Sequence, residues 1–127
     1  MTSATLLLRQ IHPTFLHNGR PSSQAFRPTP KDEYKLSAYD GDQITAPDAW
    51  THYTGQLGLE SSGVMALSVG ECNAEGLPSS GDPARFPEHC LIDFSGLTDN
   101  VIEKKSKLLK AKALVRDWLH LPTASVA

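Results

Sequence analysis

Three polar residues of a kind that does chemistry stand beside or within apolar runs of this 127-residue chain: Arg9 in Leu6-Leu7-Leu8-Arg9-Gln10-Ile11, Ser37 in Leu36-Ser37-Ala38-Tyr39, and Glu71 just after the run at 64–69. An arginine offers five N–H donors in a fixed fork and holds phosphate or carboxylate bidentately. A serine hydroxyl can brace a ligand, and a glutamate can hold a hydroxyl or move a proton. The polar segment after the first apolar run adds His12, Arg20 and Arg27. With Arg9 these would line a cleft that favours a small anion. Each residue also has a purely structural reading: Arg9 as partner to an acid, Ser37 as a satisfied strand-end hydroxyl, Glu71 as an acceptor for backbone N–H groups.

Other chemistries find less support in the spacing. His12, His17, His52, His89, Cys72 and Cys90 form no CxxC, HxxxH or HExxH pair, so no metal site is expected. Ser68 lies in a strand-like run and not on a nucleophile elbow, and no glycine-rich segment continues into Gly-Lys-Ser/Thr. Cys72 with His89 is the one pair that could support thiol chemistry, provided their strands are neighbours. Otherwise both cysteines are expected to be reduced and buried.

The elements that must position these residues follow from periodicity and punctuation. Strands are expected at 5–11, 36–39, 63–72 and 88–94, the third of them central because its run from Val64 to Val69 is apolar on both faces, and itself ending in Glu71 and Cys72. Thr45-Ala46-Pro47-Asp48 starts a helix that should reach Leu57 and bury Ala49, Trp50, Tyr53 and Leu57. Thr98 or Asp99 starts a second, long and basic helix to about residue 121, with Val101, Leu108, Val115 and Leu119 as its core stripe, widened by Ala111 and Trp118. Residues 13–30 and 73–87 read as long loops, the first anchored by Phe15 and Phe26. The expected fold is α+β: a mainly antiparallel sheet of about four strands with two main helices in a single domain, 1–127, with a loose tail at 123–127.

Charge is segregated along the chain. Residues 1–31 carry +4, residues 32–99 carry −10 and residues 100–127 carry +4. Lys104, Lys105, Lys107, Lys110, Lys112 and Arg116 concentrate the last of these on one helix, an expected surface for a protein partner. The leucines and Trp118 there suit a core better than a nucleic-acid helix. No apolar run is long enough to span a bilayer and the start lacks the features of a signal peptide, so a cytoplasmic location is expected. Taken together, these features favour a small accessory or interaction protein without a cofactor.

The order arginine, serine, glutamate on three successive strands, with a helix after the second, resembles the Arg-Ser-Glu branch of the ADP-ribosyltransferase-like domains. The resemblance covers the order of elements in residues 5–72. Leu36-Ser37-Ala38 stands where that family has Ser-Thr-Ser, and Val69 where it commonly has an acid or glutamine. It implies an NAD- or nucleotide-handling enzyme in which Arg9 contacts phosphate or ribose and Ser37 braces the site. Glu71 would hold a ribose hydroxyl and help the glycosidic bond break. Such a site requires the three side chains to converge.

Overall fold

The computed structural model describes residues 1–122; the tail expected at 123–127 lies outside them. In chain order the elements are β1 (Leu6–Gln10), β2 (Leu16–His17), β3 (Arg20–Pro21), β4 (Lys35–Asp40), α1 (Ala46–Thr51), β5 (Val64–Ser68), α2 (Val69–Ala74), β6 (Ser79–Gly81), β7 (His89–Asp93) and α3 (Asp99–Arg116). The fold is α+β. Five strands form one antiparallel sheet in the order β5-β1-β4-β7-β6, and β2 with β3 makes a separate small hairpin.

Both faces of the sheet are covered. On one, Leu7, Leu36, Ala38, Met65, Leu67, Cys90 and Ile92 pack against Phe26, Phe94 and the inner side of α3. On the other, Leu8, Tyr39, Val64 and Ala66 pack against Ala46 and Ala49 of α1. Phe26 is fully buried, as a loop anchor should be, while Phe15 is half-buried. The helix starts follow the local chemistry. Thr45 accepts from the Asp48 N–H and Thr98 from the Val101 N–H, so each hydroxyl satisfies one of the donors that a helix start leaves open.

The apolar run at 64–69 is an edge strand and not the central one; β4 holds the centre. Val64, Met65, Ala66 and Leu67 are nevertheless fully buried. The reason lies past α3. The helix ends at Arg116, short of the expected 121, because Asp117 turns the backbone with φ 70°. The chain then runs extended along β5: the Leu119 N–H donates to the Val64 carbonyl and the Val64 N–H to the His120 carbonyl, both at 2.9 Å. This strap closes the edge with backbone partners.

α3 buries a different stripe from the expected one. Ile102, Ser106, Leu109 and Ala113 face the core, spaced four, three and four apart. Ser106 satisfies its own hydroxyl on the Ile102 carbonyl at 2.8 Å, so a polar residue sits in the core stripe at no cost in unpaired groups. Val101, Leu108 and Val115 point outward, Val115 with 89% exposure.

Residues 73–87 also contain more order than expected, namely the end of α2 and the edge strand β6. Among the described residues no helix is long and apolar enough to cross a membrane.

Gly63 is where the strap crosses β5. A Cβ there would lie 2.6 Å from the His120 carbonyl oxygen and 2.9 Å from the Trp118 ring. Gly63→Ala should therefore cost about 1–3 kcal/mol through overpacking, read as a lowered midpoint in urea unfolding; an unchanged midpoint would show that the strap contributes no stability.

Candidate functional site

β1 and β4 pair only at Leu7 with Asp40 and Leu8 with Tyr39. Past that point they part, although β1 remains paired to β5 through Gln10 and β4 to β7 back to Lys35. Arg9 bridges the opening. Its Nε donates to the Ala25 carbonyl and its Nη1 to the Ser37 carbonyl, both at 2.9 Å, in place of the ladder bonds missing there. Among the described residues no carboxylate lies within ion-pair distance of it. The cation is half-buried and its pKa is held below the usual arginine range by desolvation, with Tyr53 and Asp32 pulling it back up.

A cleft of about 250 Å³ opens at this parting. The strand register says which side chains share its face. Leu8, Tyr39 and His89 lie opposite one another across three strands, with Gln10 and Ser37 two residues further along their own. Asp32, Tyr53, Leu57, Leu59, Arg85 and Phe86 also line it, Asp32 being its one carboxylate among the described residues. Tyr53 arrives there because α1 widens at its end into a π-helical turn, His52–Gln56.

His89 is 4% exposed and its Nδ1 lies 2.9 Å from Oδ2 of Asp82. Burial lowers its pKa, and although the hydrogen bond to Asp82 works in the opposite sense, the net direction is down. The ring is therefore neutral at pH 7, with Nδ1–H donating to Asp82 and the lone pair on Nε2. That Nε2 is buried and has no hydrogen-bond partner. The same is true of the Gln10 amide nitrogen, whose oxygen accepts from Ser61 at 2.6 Å. Beside them Phe86 packs on Tyr39, His52 and His89 with ring centroids 4.8–5.1 Å apart. The Tyr39 hydroxyl is hydrogen-bonded to His52 Nδ1 at 2.8 Å and its pKa is raised, chiefly by burial, so it stays protonated. Among the described residues, one cleft thus contains a cation with no carboxylate at ion-pair distance, a free amide donor and a free imidazole acceptor.

Arg9, Ser37 and Glu71 do not converge, contrary to the expectation from sequence. Arg9 and Ser37 meet, but through the Ser37 carbonyl and not its hydroxyl. Glu71 lies beyond the opposite end of β5, where Ser68 pairs with Leu6, and it is on α2 and not on a strand. Ser68 and Glu71 form a capping box: the Ser68 Oγ accepts from the Glu71 N–H at 3.0 Å and Glu71 Oε1 accepts from the Ser68 N–H at 2.7 Å. Arg116 adds a 2.7 Å ion pair to the same oxygen and donates to the Ala66 carbonyl. Partial burial would raise the Glu71 pKa; the bonds from Arg116 and Ser68 outweigh it and leave it lowered.

Arg20 and Arg27, expected to share an anion cleft with Arg9, do not line the cleft that Arg9 borders. Arg20 is exposed on the small hairpin and Arg27 ends a short 3₁₀ turn. His12 caps another such turn, accepting from the Thr14 N–H at 3.1 Å. Cys72 and His89 are kept apart: Cys72 is on α2, which follows β5, and β1 and β4 lie between β5 and the strand that starts at His89. Burial pushes the Cys72 thiol up to about 12 and the Cys90 thiol to about 11, which leaves both inert. Among the helix cations, Lys105 donates to the Glu75 carbonyl, Lys107 pairs with Glu103 at 3.6 Å and Arg116 is held by Glu71.

Gln10, Tyr53, Arg85 and the Asp82–His89 pair do not stand out in the sequence. Their one signal is His89 at the alternate position of a strand whose inward residues are Cys90 and Ile92. No protein family, characterised protein or solved structure matches the chain.

The pH dependence of stability follows from these directions. His89 has a folded pKa below its ordinary 6.5, so the unfolded chain takes up the proton first and stability falls as pH drops from about 6.5 toward the folded value. Glu71 is lowered from 4.5, so its contribution is present above that value and is lost only at more acid pH. Urea unfolding between pH 7.5 and 5 should show the histidine limb, and His89→Gln should flatten it. An equal slope in the variant would assign the limb elsewhere.

Proposed function

We propose that the cleft between β1 and β4 binds a small anionic ligand carrying one ring, and that His89, oriented by Asp82, accepts a proton from it or from a water beside it. The observation that carries this reading is the collection of unmet polar capacity in one place. Among the described residues Arg9 has no carboxylate within ion-pair distance, Asp32 acting on it only from further off, and the buried Gln10 amide nitrogen and His89 Nε2 lack partners. Leaving such groups unsatisfied costs on the order of 1–3 kcal/mol each, and a ligand that accepts from Arg9 and Gln10 and donates to His89 would remove that cost. A monoprotonated phosphate ester has this pattern of acceptors and a donor. Phe86, Tyr53 and Leu57 supply the apolar wall for a ring.

Size narrows the class. A cleft of about 250 Å³ is below the roughly 300–1,000 Å³ of pockets that enclose drug-sized ligands. It suits one anionic group and one ring better than a dinucleotide. A neutral histidine held by a carboxylate through Nδ1 is arranged as a general base, and Glu71 has no part in this reading. The family resemblance thus enters only as a nucleotide-like alternative, with Arg9 and Ser37 at the site and NAD as its ligand.

Titration with phenyl phosphate, followed by calorimetry and by the ¹⁵N signals of the His89 ring, tests the proposal. Saturable binding should shift Nε2 more than Nδ1. Arg85→Ala, at an exposed residue of the wall, should weaken binding several-fold, and His89→Asn by tenfold or more. NAD binding more tightly than phenyl phosphate would favour the dinucleotide alternative. No heat and no ring shift with either would remove the proposal.

A further inference from the structure

The outward side of α3 carries an apolar seam that, among the described residues, belongs to neither core cluster. Val101, Leu108 and Val115 repeat every seven residues and are 37%, 39% and 89% exposed. At 100° per residue they lie within a narrow stripe about 130° around the helix from the buried one, with exposed Ala111 beside it. A heptad spacing along about four turns is the pattern by which one helix seats another. The flanks determine what kind of helix. Lys104 borders the stripe on one side and Lys112 on the other, while the helix's own Glu103 lies away from it, paired to Lys107.

We propose that this face docks an amphipathic helix of a partner protein, apolar along its seam and acidic along both flanks. Charge complementarity selects that occupant. A second copy laid antiparallel would bring Lys104 of one chain close to Lys112 of the other, a like-charge contact that opposes self-association. A nucleic-acid duplex would satisfy the lysines but leave Val115 and Leu108 against phosphate with no apolar partner. Of the six cations on this helix, Lys105 and Arg116 are anchored inward on the Glu75 carbonyl and on Glu71. The recognition charges are therefore Lys104 and Lys112, with Lys107 secondary.

The test uses the full chain with two synthetic three-heptad helical peptides that share a leucine seam, one flanked by glutamate and the other by lysine. Amide chemical shifts on α3 should move and saturate with the glutamate peptide only, the affinity should fall with added salt, and Val115→Glu should weaken it at least tenfold. Because Val115 is almost fully exposed, that variant should unfold at the wild-type temperature, which separates lost docking from lost folding. Four outcomes overturn the proposal: no shift with the glutamate peptide, equal binding of the lysine peptide, dimerisation of the chain in sedimentation through this face, or binding of duplex DNA that Val115→Glu does not affect.

Discussion

The bond from the Arg9 guanidinium to the Ser37 carbonyl is the contact on which the layout of the sheet turns. Two antiparallel strands that separate leave a row of backbone groups without partners, and in a covered sheet these need hydrogen bonds from elsewhere. Arg9 provides one across the gap and a second to Ala25 in the long segment packed below it. It therefore holds the parting open and ties the 13–30 region to the sheet. A methionine or leucine at this position could fill the volume but could not donate to either carbonyl, so the separation of β1 and β4 depends on a side chain that is large, cationic and rich in donors.

Everything in the cleft follows from that separation. Tyr39 and His89 belong to a register that would ordinarily be hidden beneath a helix. Here α1 packs only the closed part of the sheet, through Ala46 and Ala49, while its π-turn and the segment around Phe86 border the open part. Polar groups thus gather where the apolar covering stops. At the opposite end Glu71 and Arg116 also form a polar pair, but a closed one: its bonds run within the chain, from Ser68, from Arg116 and on to the Ala66 carbonyl. One end of the sheet is satisfied and the other is left with capacity to spare.

Much of this architecture is legible in the residue pattern. The four main strands, both threonine caps and the Phe26 anchor follow from alternation, punctuation and hydroxyl chemistry acting over a few residues. What is not legible depends on contacts between distant segments or on a competing local signal. The apolar run that leads up to Glu71 suggests the end of a strand, yet Ser68 three residues before it is the signature of a capping box, and that local bond decides its place. On α3 the large residues Val101, Leu108 and Val115 give the louder pattern. The true core stripe includes Ser106 and Ala113, small residues that permit close packing and register weakly on any hydropathy scale. The pairing of Asp82 with His89 depends on how the chain turns from β6 into β7, which no periodicity encodes.

The strap over β5 has a bearing on how this chain could misassemble. β5 is the most apolar strand of the sheet, and among the described residues its outer edge takes backbone partners from residues 119–120, more than fifty positions later in the chain, beside the Arg116 guanidinium on the Ala66 carbonyl. Should that short segment lift away, Val64 would present a bare N–H and carbonyl beside a strand buried on both faces, which is the template that neighbouring molecules use for edge-to-edge aggregation. The few bonds of the strap and the Trp118 ring packed against Gly63 thus act as a guard, and colloidal behaviour, more than the unfolding midpoint alone, is where their loss would be felt.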